Sequence, residues 1–270
     1  MSPLAAHPMS RVKALAFDVF GTVVDWRTSV VEELELRAHR KALACDTPAA
    51  TRERLTSCDW ARFAQQWRDA YGVFTRSFER GRDAWKSVDE HHRQSLANML
   101  AEWGFHDVYS DAELDSLALV WHRLAPWPDA VDGLAALRGS PSTPRYTLAT
   151  LSNANISLLH DLNDYGSLGF QHLLSAEMFG AYKPDESTYR GAAQRLGLDT
   201  AEVAMVAAHL SDLHAARSCG LPTVYVERRG EEAWAKHDER WEHAREWVDV
   251  WISEEENGFL ALSTRLQHLA

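Results

Sequence analysis

Residues 12–22 read Val12-Lys13-Ala14-Leu15-Ala16-Phe17-Asp18-Val19-Phe20-Gly21-Thr22. The first six form a short, nearly continuous apolar run. That is too short for a helix and is the pattern of a strand buried on both faces. An acid, a small turn and a hydroxyl follow at once. Four more runs repeat the strand pattern, at residues 146–151, 203–207, 223–226 and, more weakly, 172–174. Between them, residues 157–165, 186–196 and 212–219 carry helical periodicity, and Gly197 and Gly220 close the last two. Strand and helix in alternation predict an α/β fold with a parallel sheet.

The alternation breaks after the first strand. Residues 29–43, 59–80, 88–103 and 111–124 read as successive amphipathic helices, separated by Asp46-Thr47-Pro48, Gly104-Phe105 and Ser110-Asp111. The sheet resumes beyond Pro126-Trp127-Pro128. An all-helical cap domain over residues 26–124, inserted in a core of residues 1–25 and 125–270, is therefore expected. Residues 228–248 read as one charged helix, with Trp234, Trp241 and Trp247 packing its apolar side.

Composition narrows the function. The 270 residues are 46% hydrophobic and 25% charged, the balance of a globular chain with a sizeable core. Lys and Arg number 28 against 39 Asp and Glu, a net charge of −11, and no local basic patch offsets it. Such a chain repels phosphate backbones and anionic lipid, so nucleic-acid and membrane partners are not expected. Cys45, Cys58 and Cys219 stand far apart without a Cys-x-x-Cys, which argues against a disulfide framework or a zinc site. No signal-like or membrane-spanning run is present, so a cytoplasmic location is expected, and the sequon at Asn155 has no secretory context.

Ligands of parallel α/β sheets bind beyond the carboxyl ends of the strands. Asp18 follows the first strand, and Ser152-Asn153 follows the run at 146–151. Lys183 precedes a helix in Ala181-Tyr182-Lys183-Pro184-Asp185. The run at 203–207 leads into Ala208-His209-Leu210-Ser211-Asp212. Each alone reads as a turn residue or a helix cap. Together they would gather two carboxylates, an ammonium, a hydroxyl and an amide on one edge. No Gly-x-Ser-x-Gly, Walker or dinucleotide glycine loop competes with them.

Asp18-Val19-Phe20-Gly21-Thr22, Leu151-Ser152-Asn153, Tyr182-Lys183-Pro184-Asp185 with Tyr189, and Asp212 resemble the four motifs of the haloacid dehalogenase superfamily. The nearest resemblance is to its type II L-2-haloacid dehalogenases, and it covers nearly the whole chain. It implies a Rossmann-like core, a homodimer, and hydrolysis of short 2-haloalkanoic acids with inversion. No cofactor and no metal are implied. Asp18 would be the nucleophile, forming an aspartyl ester, and Lys183 the fixed charge beside it. Thr22 would support Asp18, Ser152 would hold the substrate carboxylate, and Tyr189 would brace Lys183 or the pocket wall. Asp212 would activate or position the water that cleaves the ester.

Phosphatases of the superfamily carry an aspartate two residues after the nucleophile, to protonate the leaving alcohol. Phe20 stands there instead, and a halide needs no proton. For the halide site the resemblance implies Asn153 and a cap residue. Arg68 is the obvious cation, whereas spacing to Tyr71 favours Gln65. Trp26 and Trp85 are candidates for the apolar wall. The fourth motif departs from the family at Ala207 and His209, and His209 could position water or contact Asp18. A hydrolase of strained rings, a magnesium-dependent phosphatase and a non-catalytic metabolite binder are the alternatives. Chelator sensitivity would mark the phosphatase, and ligand binding indifferent to Asp18→Asn would mark the binder.

Overall fold

A computed structural model of the chain describes residues 6–140 and 142–269. Six strands form one parallel sheet: β1 (Ala14–Phe17), β2 (Thr147–Ser152), β3 (His172–Ser175), β4 (Val203–Ala207), β5 (Thr223–Val226) and β6 (Val250–Ile252). Their spatial order is 3-2-1-4-5-6. This is the doubly wound order whose switch point, between β1 and β4, opens a crevice at the strand ends. In β1, Leu15 and Phe17 enter one core while Ala14 and Ala16 enter the other, and all four are fully buried. β4 alternates in the same way, with Ala204 and Val206 opposite Val203, Met205 and Ala207. Two-sided burial is why these strands read as unbroken apolar runs.

The cap leaves the core directly after β1. It comprises α1 (Trp26–Leu43), α2 (Ala49–Ser57), α3 (Trp60–Ser77), α4 (Val88–Glu102) and α5 (Asp111–Ala118). Asp25 and Asp59 cap α1 and α3, and Ser87 with Glu90 and Ser110 with Glu113 form capping boxes on α4 and α5. At the stem, Val24–Asp25 pairs antiparallel with Ala125–Pro126, so the chain leaves and re-enters the core side by side. The helix expected over 111–124 tightens into a 3-10 turn at Leu119–His122.

The core helices are α6 (Ala130–Arg138), α7 (Ile156–Tyr165), α8 (Glu186–Leu196), α9 (Leu210–Ser218), α10 (Glu239–Trp247) and α11 (Gly258–Gln267). Gly133 lets α6 approach α11 closely, because a Cβ there would overlap Phe259. One expectation needs correction. The helix foreseen over 228–248 forms only as α10, capped by Asp238. Residues 228–238 stay irregular: Gly230 takes a positive φ of 77°, and Glu231 and Glu232 bond to groups far away in sequence. Trp234, Trp241 and Trp247 do pack against the core, half-buried. Among the described residues no helix is long and apolar enough to cross a membrane.

Candidate active site

The cleft lies at the switch point, beneath α3 of the cap, with a volume of about 450 Å³. Asp18, Asn153, Lys183, Tyr189, His209 and Asp212 line its core side, and Arg68, Tyr71, Thr75 and Arg76 its cap side.

Asp18 is held from both oxygens. Lys183 Nζ donates to Oδ1 at 2.8 Å, Thr22 Oγ1 donates to Oδ2 at 2.8 Å, and His209 Nδ1 faces Oδ2 at 3.1 Å. Burial alone would raise the Asp18 carboxyl, but the Lys183 ammonium and the His209 contact overrule it, holding it far below the usual carboxylate range. Thr22 is fixed in turn: its hydroxyl accepts from Ala208 N–H at 2.9 Å, and its carbonyl accepts from Arg228 Nε at 3.1 Å. The Arg228 guanidinium is clamped by both oxygens of buried Asp129, at 2.5 and 2.9 Å.

Lys183 bridges two acids. Its Nζ also donates to Asp212 Oδ2 at 2.6 Å, and Tyr189 donates its hydroxyl to Asp212 Oδ1 at 2.5 Å. Burial would favour the neutral amine, but the flanking carboxylates raise Lys183 above its ordinary value. Burial and the Asp212 charge push the Tyr189 phenol well up, so it remains a donor. Asp212 is the third residue of α9, in its first turn.

Asn153 serves Lys183 through the main chain. Its Oδ1 accepts from Lys183 N–H at 2.6 Å, and its Nδ2 donates to Lys183 C=O at 3.3 Å. Ser152 is buried, with its hydroxyl accepting from Ala154 N–H at 3.2 Å, and does not line the cleft. The Arg68 guanidinium lies over the Tyr71 ring at 4.6 Å, and 5.6 Å from each of the Phe20 and Trp26 rings. Gln65 faces elsewhere, accepting from Arg27 at 2.6 Å and donating to Asp69 at 2.8 Å. Of the two cap candidates, only Arg68 reaches the cleft. Phe20 is buried, edge-on to Trp121 and tilted against Tyr71. Trp26 is buried beneath the cleft, stacked on Trp121. Trp85 stacks on Tyr182 at 4.6 Å, away from the lining.

Two neighbours escaped sequence reading. Arg76 lies eight residues after Arg68 on one face of α3, a periodicity that could have found it. Glu231 carries no such signal. Its carboxylate faces His209 Nε2 at 3.4 Å and accepts from Trp26 Nε1 at 3.0 Å. Gly21, with φ of 82°, leaves it room, since a Cβ there would overlap the Glu231 carboxylate. Burial would lower the His209 imidazole, but hydrogen bonds to Asp18 and Glu231 raise it to about 10.

The donor set does not suit the divalent cation that superfamily relatives employ. The ammonium of Lys183 stands between Asp18 and Asp212, Phe20 offers a cation no oxygen, and among the described residues no group of three or more His, Cys, Asp or Glu side chains is placed to hold a metal ion.

An aspartate in the loop after β1, a lysine ahead of α8, a second aspartate on α9 and a helical cap define a hydrolase of the haloacid dehalogenase type. The match to the haloacid dehalogenase-like hydrolase family covers residues 12–220, and the chain belongs to that family. Within it, the similarity is to L-2-haloacid dehalogenases. One such enzyme of known crystal structure is 32% identical, superposes with a TM-score of 0.76, and is matched over 95% of this chain and 99% of that one. A defluorinating L-2-haloacid dehalogenase is 30% identical, with a TM-score of 0.74 over 97% and 98% of the two chains. The (S)-2-haloacid dehalogenase of Pseudomonas sp. strain YL is 28% identical over 228 residues, 82% of this chain and 85% of the relative.

Proposed function

We propose that this chain hydrolyses short 2-haloalkanoic acids to 2-hydroxy acids with inversion, through an ester on Asp18. The observation that carries this reading is the state of Asp18. It is an ionised carboxylate whose Oδ1, with a single hydrogen bond from Lys183, keeps a lone pair for attack. The apolar Phe20 stands where a proton donor for an oxygen leaving group would be needed.

Asp18 Oδ1 attacks the α-carbon opposite the carbon–halogen bond, forming a C–O bond as halide leaves with the bonding pair. Lys183 and Thr22 hold the carboxylate in line. Arg68, facing the cleft from the cap, is the cation for the departing halide, and Asn153 acts through the placement of Lys183. The substrate carboxylate meets main-chain N–H groups beside Ser152, with Tyr71 and Phe20 on the apolar side. Tyr189 holds Asp212, and Asp212 holds Lys183. Water then cleaves the ester at its carbonyl carbon.

Halide release from (S)-2-chloropropionate and chloroacetate, with and without EDTA and beside Asp18→Asn, tests the reading. Release that resists chelator and vanishes in the variant is expected. Release that persists in Asp18→Asn would remove the nucleophile. The same reading carries a homodimer in the cytoplasm, as the resemblance implies, and light scattering on the purified chain tests the dimer. Core boundaries at 1–25 and 125–270, with a cap of 26–124, are supported by the ladder at the stem.

A further inference from the structure

His209 stands between two carboxylates, and both of its ring nitrogens are engaged. Nδ1 faces Asp18 Oδ2 at 3.1 Å and Nε2 faces Glu231 Oε2 at 3.4 Å. Each Asp212 oxygen already accepts a hydrogen bond from the site's own groups, Oδ2 from Lys183 and Oδ1 from Tyr189. Lys183 and His209 each set a nitrogen against Asp18 with a second acid behind it, and of the two the imidazole is the group that can give up its proton and act as a base near neutral pH.

We propose that His209 is the general base that cleaves the Asp18 ester and that Glu231 is its positioning residue, fixing the tautomer. The proposal rests on the aspartyl-ester reading above. In the resting site two carboxylates hold His209 as an imidazolium, so its Nδ1 lone pair is not yet available. Esterification removes the Asp18 charge, and with it one of the two anions that keep the ring protonated. The ring then loses the Nδ1 proton to solvent, which is the one proton released in the overall reaction. Glu231 keeps Nε2–H as the donor side, so the Nδ1 lone pair points at the ester.

Water adds to the ester carbonyl carbon while its proton passes to Nδ1. The tetrahedral adduct then breaks its carbon–alkoxide bond, and the alkoxide takes that proton from Nδ1 to become the hydroxy acid. The carboxylic acid left on Asp18 returns its proton to Nδ1, restoring the ion pair. Formation of the ester thus converts an electrostatic support into a base. The groups facing His209 are Asp18 from the loop after β1, Glu231 and Glu232 after β5, Lys183 ahead of α8, Asp212 on α9 and, across the cleft, Arg68 on α3.

The test separates the two chemical steps with (S)-2-chloropropionate. Glu231→Gln keeps an oxygen for both Trp26 and His209 and removes only the charge. Expected is a single-turnover halide burst within a few-fold of the parent and a steady-state rate lower by about 10²-fold. Mass spectrometry of the Gln variant should show an ester on Asp18. The acid limb of its steady-state pH profile should move to lower pH, because losing the carboxylate makes the imidazole a weaker base. His209→Asn should accumulate the ester with no acid limb left. A Glu231→Gln burst that falls in parallel with turnover, an acid limb that stays in place, or His209→Asn without an ester each overturns the proposal. If the parent itself releases no halide, the ester reading fails, and this proposal with it.

Discussion

Asn153 grips Lys183 by its backbone, accepting from its N–H at 2.6 Å and donating to its C=O at 3.3 Å. The side chain expected to touch the halide also holds the residue that carries the site's central charge. Asn153→Ala leaves both buried main-chain groups without partners, a loss of about 1–3 kcal/mol. Thermal unfolding should register that loss. Because Lys183 Nζ loses its register, kcat should fall by about 10²-fold, the scale of a small misplacement at reacting atoms. Full activity in Asn153→Ala would sink the account.

Asp212 holds Lys183, accepting from its Nζ at 2.6 Å. Asp212→Asn removes one of the two charges that hold the ammonium, and Asp18 then keeps the whole ion pair, which blunts it as a nucleophile. Single-turnover halide release should slow by about 10- to 10²-fold, consistent with loss of fixed-charge support. A fast burst followed by a stalled ester in Asp212→Asn would return the base role to this residue.

Arg68 and Gln65 differ in what they face, although both sit on α3. Arg68→Gln should raise KM for chloroacetate and lower kcat/KM by at least about 10-fold, since the cation that faces the cleft is lost. Gln65→Ala, which breaks contacts with Arg27 and Asp69 only, should stay within a few-fold of the parent. Kinetics on the two variants side by side decide between them.

Acid should loosen the cap. His92 is buried flat on Trp121, with ring centroids 4.3 Å apart, and His91 stacks on Phe74 at the same separation. Burial keeps both neutral, lowering His91 to about 4 and His92 well below its usual value. A base whose folded value is depressed binds its proton more tightly once unfolded. Its stability contribution is therefore present above the unfolded value and lost as pH falls below about 6.5 towards 4. The Tm should drop between those limits, and His92→Phe, which keeps the stack, should lessen the drop by about 5 °C. An unchanged pH dependence in that variant would clear His92.

Much of the fold is legible because short-range periodicity reports burial. The runs at 12–17 and 203–207 are continuous in apolar character since both sheet faces are covered, and the cap helices announce themselves by caps and amphipathic spacing. The three-residue strand β6 and the irregular stretch at 228–238 were not legible. A strand of three residues has no period to detect. Glu231 and Glu232 sit among residues of helical composition, but Glu231 bonds Trp26 from the other end of the chain and Glu232 bonds the main chain at Leu210.

The amino-acid sequence by itself determined an α/β core, an inserted helical cap, an aspartate after the first strand, and a lysine and a second aspartate on the same edge. Those features follow from neighbours a few residues apart and from where each strand must end. Only the tertiary structure decided that Arg68 rather than Gln65 reaches the cleft, that Asn153 holds Lys183, and that Glu231 stands behind His209. These depend on side chains meeting across long stretches of chain: His209 and Asp18 are 191 positions apart, and Glu231 and Trp26 are 205. Local pattern encodes which face is buried, whereas the partner of a buried charge is set by the packing that brings distant loops to one sheet edge.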